Sequence, residues 1–190
     1  MGGAGAPAER DLTLQARDFS PLYWRFCSTI CDNRSMANQD APTQGTAQAG
    51  AKKDVQIRSA VEADTPLVFD FIRKLAEYGD ISDEVSATEA DVRAALFGPQ
   101  RVAEVLLAFV GAEPAGFALY SYSFASFLGK PGIYIEDFFV EQACRNRGIG
   151  KILLLHLARL GRARGCGRLE WSVLNWNERA MEFYQSLGAV

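Results

Sequence analysis

The stretch best suited to chemistry is a short loop rich in glycine and arginine, Arg145-Asn146-Arg147-Gly148-Ile149-Gly150. It follows a run of β-branched and aromatic residues at 133–140 and precedes an apolar run of helical length. Glycines let the backbone come close to an anion, and the first free N–H groups of a helix point at it. Strand, glycine loop and helix in this order therefore indicate a phosphate-binding site, to which the arginines add positive charge.

The charge distribution supports a small polyphosphate ligand and gives no general case for nucleic acid. The chain has 190 residues and a net charge of −3, yet residues 142–169 carry seven Lys/Arg and no acid. The loop matches neither G-x-G-x-x-G nor G-x-x-x-x-G-K-[ST], so dinucleotide-binding and P-loop sites are not indicated. The alternative interpretation is a helix face whose arginines are solvated.

The loop resembles R-x-x-G-x-G, the coenzyme A pyrophosphate loop of the GNAT (GCN5-related) N-acetyltransferases. The similarity extends over 55–190 and is to the diamine (spermidine/spermine-type) and thialysine acetyltransferase branch. Several separate motifs in the family's order are far more specific than the loop alone. They are Leu75-Ala76-Glu77-Tyr78, Phe97-Gly98, Gly116-Phe117-Ala118, Ile135 to Val140, Trp176-Asn177-Glu178 and Phe183-Tyr184.

This resemblance implies an enzyme that moves acetyl from acetyl-CoA to a primary amine of a small molecule: a polyamine, a diamine or a thialysine- or lysine-like amino acid. Direct attack in a ternary complex is the expected mechanism, because no cysteine stands beside a plausible base to carry an acyl group. No metal is expected, since His156 is the one histidine of the sequence. The alternatives are a catalytically silent acyl-CoA-binding or regulatory module and a protein N-acetyltransferase.

The resemblance also implies where acetyl-CoA binds. Backbone groups of the central strand hold the pantetheine arm and the thioester carbonyl, and the loop holds the pyrophosphate. Asn177 matches a family asparagine near the coenzyme, although a helix N-cap role explains it equally well. The residues expected to bind the coenzyme are Phe138, Phe139, Val140, Arg145, Asn146, Arg147, Gly148, Ile149, Gly150, Lys151 and Asn177.

Glu136 is the candidate general base, on the strength of the resemblance. Strand alternation predicts that it shares a face with Tyr134 and Phe138, and that Asp137 lies on the opposite face. A carboxylate in so apolar a strand should have a raised pKa, which suits a base working through water. A solvated or salt-bridged acid at a sheet edge is the alternative, and Asp137 is the runner-up, as a substrate-binding or structural residue.

Tyr184 is the candidate general acid, because the family uses a tyrosine at this place to protonate the leaving thiolate. Ala180, Phe183 and Leu187 repeat at helical spacing as a core stripe, and Tyr184 lies about 100° round the helix from Phe183. This predicts a hydroxyl presented to the site instead of to the core. A tyrosine packing at the surface is the alternative.

The acceptor site is expected to contain carboxylates, since a polyamine is positively charged. Asp80, Asp83 and Glu84 in an acidic link could supply them, together with Asp137. Spermidine/spermine enzymes resemble D-P-W in the loop after the third strand, where this chain has residues 125–127, Ala-Ser-Phe. That departure argues against a close copy of polyamine specificity, so a shorter amine is at least as well supported.

The periodicity predicts elements in the order β-α-α-β-β-β-α-β-α over one domain, 55–190. The resemblance implies that they form an α/β fold, a GNAT-type mixed central sheet flanked by helices. The family continues with two further strands beyond Gly188-Ala189-Val190, so the sheet is expected to lack them. Residues 1–54 are expected to be a disordered or non-native extension, with Met36 as an alternative start. Reduced cysteines favour a cytoplasmic protein, no apolar run is long enough for a membrane span, and family members commonly form homodimers.

Overall fold

The computed structural model describes residues 9–14 and 55–189, the first range as backbone only. Short 3₁₀ turns occupy Glu62–Asp64, Ser82–Glu84 and Gln142–Cys144. The strands and helices, in chain order, are β1 Glu9–Leu14, β2 Val55–Ser59, α1 Thr65–Gly79, α2 Glu89–Phe97, β3 Glu104–Val110, β4 Glu113–Ala125, β5 Lys130–Val140, α3 Ile149–Ala163, β6 Arg168–Leu174 and α4 Glu178–Ser186.

The strands form one mixed sheet in the order β1-β6-β5-β4-β3-β2. Neighbours are antiparallel except β5 and β6, which are parallel and are joined through α3. A parallel pair needs a crossover connection, and the apolar helix α3 provides one. The predicted order of elements and the mixed sheet are confirmed for residues 55–189.

Helices α1 and α2 cover one face of the β2–β5 half of the sheet. Pro66 stands in the first turn of α1, and Val68 and Phe71 are fully buried beneath that helix. Phe71 stacks on Phe117 of β4 with ring centroids 5.3 Å apart. Burial of each such side chain contributes about 2–3 kcal/mol.

Helix α2 begins at the predicted capping box. The Thr88 backbone N–H donates to Asp91 Oδ2 at 2.8 Å, and the Thr88 hydroxyl accepts from the Asp91 N–H at 3.3 Å.

Helices α3 and α4 pack on the opposite face. Leu153 and Leu157 of α3 are fully buried against Ile133 of β5 and Trp171 of β6. Tyr184 of α4 belongs to the same cluster. This second core fixes α3 against the parallel strand pair, and so fixes the position of the helix N-terminus that follows the glycine loop.

Strand β1 pairs antiparallel with the outer edge of β6, from Glu9 opposite Leu174 to Leu14 opposite Leu169. These six residues belong to the segment expected to be disordered, and their backbone is a strand. The interpretation of the rest of 1–54 lies outside the described residues. On this side of β6, where the resemblance implies additional C-terminal strands, the neighbour in the structure is β1.

Gly116 allows β4 and β5 to approach closely. A Cβ built at this position would lie 2.4 Å from the Phe139 carbonyl oxygen and 3.1 Å from Val140 Cα, both backbone atoms. We expect Gly116→Ala to lower the free energy of unfolding by about 1–3 kcal/mol, because strand backbone must move. Urea unfolding measures the change.

The matched control is Gly79→Ala, whose Cβ would meet only the flexible Ile81 side chain at 3.3 Å. An equal loss of stability in the two variants would contradict the close-approach explanation.

Candidate active site

A gap opens in the sheet where β5 and β6 separate. The two strands are paired from Gly132 opposite Arg168 to Ile135 opposite Trp171, and there the pairing stops. Strand β5 continues to Val140 with β4 on its other side, and β6 continues to Leu174. One backbone edge of β5 from residue 136 onwards therefore faces the gap with no strand paired to it in the described part of the chain. Unpaired strand groups of this kind can hydrogen-bond an extended ligand.

A β-bulge at Glu136 places the two candidate carboxylates on one face. Leu119 of β4 pairs with Asp137 and Tyr120 pairs with Ile135, so Glu136 is the extra residue. The Glu136 side chain accepts a hydrogen bond from Ser121 at 2.8 Å, on the face that Ser121 shares with Leu119. The prediction that Glu136 and Asp137 face opposite sides is wrong, because a bulge interrupts the alternation of a regular strand.

The two carboxylates have different surroundings. Glu136 is exposed, whereas Asp137 is partly buried opposite Leu119, at the edge of the apolar cluster that also contains Phe139. Burial, and secondarily the nearby negative charge of Glu136, raises the pKa of Asp137 from 3.8 to about 6. The sequence predicts that the apolar strand raises the pKa of Glu136. In the structure, the carboxyl whose pKa is raised by burial is that of Asp137.

The glycine loop leads directly into the N-terminus of α3, an arrangement that suits an anion. Asn146 and Gly148 both have left-handed backbone, at φ 61° and 78°, which turns the chain into the helix. The first intrahelical bond runs from the Ile152 N–H to the Gly148 carbonyl, so the N–H groups of Ile149 to Lys151 point out of the helix end. Arg147 and Lys151 are exposed at the same end.

Arg145 points inward and links the loop to α1. Its Nε donates to the Val140 carbonyl at 3.0 Å, and its guanidinium lies 4.4 Å from the centre of the Tyr78 ring. Tyr78 also contacts Trp176, with ring centroids 6.1 Å apart. The end of α1 is thereby held across the carboxyl ends of β5 and β6. Arg145 has these intramolecular partners, whereas no ion pair joins Arg147 to another residue of the described ranges.

Tyr184 lies at the base of the gap, deeper than the sequence predicts. It is only 7% exposed and contacts the rings of Trp171 at 4.8 Å, Phe183 at 5.2 Å and Phe138 at 6.3 Å. Burial raises the pKa of its phenol, so the hydroxyl stays protonated at neutral pH. On α4 the fully buried residue is Tyr184, and Phe183 is only partly buried. The rings of β5 and β6 draw Tyr184 inward, which helical spacing alone does not reveal.

The remaining candidates lie around the same gap. Asp80, Asp83 and Glu84 are exposed in the link that follows α1, and no ion pair joins them to another residue of the described ranges. The Asn177 side chain accepts from the Ala180 N–H at 3.2 Å, which confirms its N-cap role. Phe138 and Phe139 point into opposite cores, so it is their backbone that borders the gap.

These surroundings fit an elongated ligand with amide groups at one end and phosphate at the other. Two buried polar side-chain atoms on β6 and just beyond it, Trp171 Nε1 and Asn175 Oδ1, have no hydrogen-bond partner in the described structure. A pantetheine arm supplies amide donors and acceptors, and a pyrophosphate suits the helix end. The residues present therefore fit acetyl-CoA.

The comparisons with known proteins decide the family. The model of the acetyltransferase (GNAT) family matches residues 72–189. This chain belongs to the GNAT family. It is an acetyl-CoA-dependent N-acetyltransferase of the class that acetylates small-molecule amines, as the curated relatives also indicate.

Two relatives illustrate the match. A thialysine N-epsilon-acetyltransferase of Bos taurus is 36% identical over 143 residues, covering 71% of this chain and 84% of the relative. An L-ornithine N5-acetyltransferase of Arabidopsis thaliana is 28% identical over 189 residues, covering 76% and 83%.

Solved structures share the fold. An integron cassette protein from the mobile metagenome of V. cholerae superposes with a TM-score of 0.60 at 30% identity, covering 72% of this chain and 85% of that one. An aminoglycoside acetyltransferase from an uncultured soil metagenomic sample, in complex with sisomicin, gives a TM-score of 0.62 at 20% identity, covering 70% and 86%. The second similarity concerns the fold alone.

The sequence interpretation missed three features of this GNAT site. These are the hydrogen bond from Ser121 to Glu136, the stacking of Arg145 on Tyr78, and an Arg168–Glu170 ion pair on β6. The alternation of polar residues in β4 and β6 was a usable signal for the first and third. The second joins residues far apart in sequence and leaves no local pattern.

Within the described ranges, no group of three or more His, Cys, Asp or Glu side chains is placed to hold a metal ion. No helix there is long and apolar enough to cross a membrane.

Asp137 should lower stability at neutral pH. Its folded pKa, about 6, lies above the unfolded value of 3.8, so the folded state binds more protons between those values and stability falls as pH rises through that window. We expect Asp137→Asn to raise the free energy of unfolding at pH 7.5 by up to about 3 kcal/mol, and by much less at pH 4.5. Urea unfolding at the two pH values measures this difference.

Asp83→Asn, at an exposed residue, is the control and should change little at either pH. A stabilisation by Asp137→Asn that is equal at both pH values would contradict the role of proton binding.

Proposed function

We propose that this GNAT enzyme acetylates the primary amine of a small diamine, polyamine or diamino acid by direct attack in a ternary complex. The observation that carries the proposal is the bulge, which sets Glu136 and Asp137 together beside the open edge of β5. Relatives that act on thialysine and on L-ornithine support an acceptor of this kind. A carboxylate pair attracts a cationic amine and can take its proton.

The amine must lose a proton before it attacks. Glu136 is exposed and oriented by Ser121, so it takes this proton directly or through a water molecule. Asp137 lies beside it, and burial together with the negative charge of Glu136 raises the pKa of Asp137 to about 6. At neutral pH the pair is negatively charged, which both binds the ammonium and accepts its proton.

Acetyl-CoA, when bound, supplies the acetyl group as an activated thioester. The chain's own contribution is to position it: the N-terminus of α3 with Arg147 and Lys151 binds phosphate, and the free backbone edge of 136–140 orients the arm. Tyr184, whose buried phenol has a raised pKa and stays protonated at neutral pH, is assigned to protonate the leaving thiolate. Each of these residue roles is part of the proposal.

The location and assembly of the enzyme are part of the proposal too. Large exposed apolar side chains, Phe124, Phe127 and Leu128, stand at the β4–β5 hairpin and support a homodimer through that end. Cysteine usage supports a cytoplasmic enzyme.

The coenzyme assignment is tested by calorimetric titration of the full chain with acetyl-CoA. We expect Arg147→Ala to weaken binding by about 10- to 100-fold, because a charge-assisted bond to phosphate is lost. Arg159→Ala is the control, since Arg159 is exposed further along α3. Equal affinity of wild type and Arg147→Ala would remove Arg147 from the coenzyme site.

The proton-transfer assignment is tested by the pH dependence of kcat/KM across an amine panel. We expect activity to rise with pH through an apparent pKa near 6, the value of Asp137. Glu136→Gln should cut kcat by about 100-fold or more, because the base is lost. It should also shift the rise of activity with pH to lower pH, because the negative charge beside Asp137 is gone.

Glu113→Gln, at an exposed residue of a turn, is the control. A wild-type rate and an unchanged pH profile in Glu136→Gln would overturn its role as the base. No turnover of any amine by a chain that binds acetyl-CoA would instead favour a silent acyl-CoA-binding module.

A further inference from the structure

Half of one sheet face is polar and is not covered by α1 or α2. The apolar cluster beneath those helices reaches Leu119 and Phe139 and extends no further along β4 and β5. Beyond it, hydroxyls and charged groups from three strands line the same face. They are joined by hydrogen bonds or ion pairs: Ser121 with Glu136, Ser123 with Glu170, Tyr134 with Ser172, and Arg168 with Glu170.

Arg168 and Glu170 form the charged centre of this face. Arg168 Nε lies 2.6 Å from Glu170 Oε2 as an ion pair, but without the alignment of a hydrogen bond. The arginine side chain runs over Gly132, where a Cβ would come within 2.9 Å of Arg168 Cγ and 3.1 Å of Nε. Glycine at 132 therefore makes room for the guanidinium on this face. Both side chains remain partly exposed, at 27% and 15%.

A neighbouring cation and anion of this kind complement a zwitterion. The guanidinium presents several parallel N–H donors that suit a carboxylate, and the Glu170 carboxylate suits an ammonium. An α-amino acid carries both groups on one carbon. A plain diamine or polyamine carries no carboxylate, and its ammonium groups would meet the arginine as a like charge.

The position of the pair along the sheet sets the length of the acceptor. Glu170 is opposite Tyr134, two residues before Glu136 in β5. Two residues rise about 7 Å along the strand, and neighbouring strands lie about 4.8 Å apart, so the Cα positions of Glu170 and Glu136 are about 8 Å apart. Hydrogen bonds at both ends of a ligand span the remainder of this distance. The α-carbon and terminal nitrogen of an extended lysine-like side chain are about 6 Å apart at standard bond lengths. An α-amino acid headgroup on β6 therefore leaves the terminal amine at the carboxylates of the bulge.

We infer that Arg168 and Glu170 bind the α-carboxylate and α-ammonium of a diamino acid whose side-chain amine is acetylated at Glu136 and Asp137. This inference rests on the proposed function and names the acceptor class for it. Arg168 and Glu170 are specificity residues, and they take no part in the proton transfers.

The test uses the full chain, acetyl-CoA and three matched acceptors. L-lysine carries both α-groups, cadaverine lacks the carboxylate, and 6-aminohexanoate lacks the α-ammonium. Wild type should prefer L-lysine in kcat/KM. Arg168→Gln should lower kcat/KM for L-lysine by about 10- to 100-fold. Its kcat/KM for cadaverine should be equal to or higher than that of wild type. Glu170→Gln should remove the preference for L-lysine over 6-aminohexanoate.

Arg164→Gln is the matched control, because its guanidinium pairs with Glu104 at 2.8 Å, an ion pair separate from the Arg168–Glu170 pair. Its selectivity should equal that of wild type. Thermal unfolding and acetyl-CoA titration of each variant show whether it folds and binds coenzyme, and Arg168→Lys, which keeps the charge, should retain part of the preference.

The outcomes distinguish a failure of the proposed function from a failure of the zwitterion site. If no amine is acetylated by wild type, the proposed function fails. The zwitterion site is overturned if wild type acetylates the amines without preferring L-lysine, or if Arg168→Gln lowers kcat/KM equally for all three acceptors. In either case the acetyltransferase function stands.

Discussion

The parallel pairing of β5 and β6 and its early end are the constraint on which the rest of the site depends. The strands share four paired positions and then diverge, so within the described residues no strand pairs with one side of β5 from Glu136 to Val140. Unpaired backbone polar groups are costly when buried, and a ligand is a favourable partner for them. The α3 crossover brings its N-terminus to the carboxyl end of the same strand. One irregularity of the sheet thus sets a free strand edge beside a helix N-terminus.

The bulge in β5 is the second constraint. By adding one residue opposite β4 it changes the direction of the strand and gathers two consecutive carboxylates on one face. Burial, and secondarily the charge of the exposed Glu136, raises the pKa of the partly buried Asp137 to about 6. A regular strand with the same residues would place the two side chains on opposite faces. The cost in stability of a buried acid is consistent with a functional site.

Several contacts hold loops around the gap without taking part in chemistry. Arg145 joins the Val140 carbonyl to the Tyr78 ring, and Tyr78 contacts Trp176 beyond β6. These contacts tie the end of α1 to the loops that follow β5 and β6. They also place the acidic link of Asp80 to Glu84 near the opening. Arg145 thus has intramolecular partners near the loop, whereas Arg147 and Lys151 are exposed at the start of α3.

The sequence by itself determined the elements and their order, because hydrophobic periodicity, the Thr88 and Asn177 caps and the glycine loop are all local signals. It also predicted that the strand at 133–140, the glycine loop and the following helix are adjacent, since their motifs are contiguous. Tertiary structure alone decided the faces and partners. The bulge depends on how β4 pairs with β5, and the burial of Tyr184 depends on Trp171 and Phe138. The Arg168–Glu170 pair lies on the strand next to the one that carries Glu136, and only the pairing of these strands shows this. Such relations depend on contacts between distant residues, and no local pattern records them.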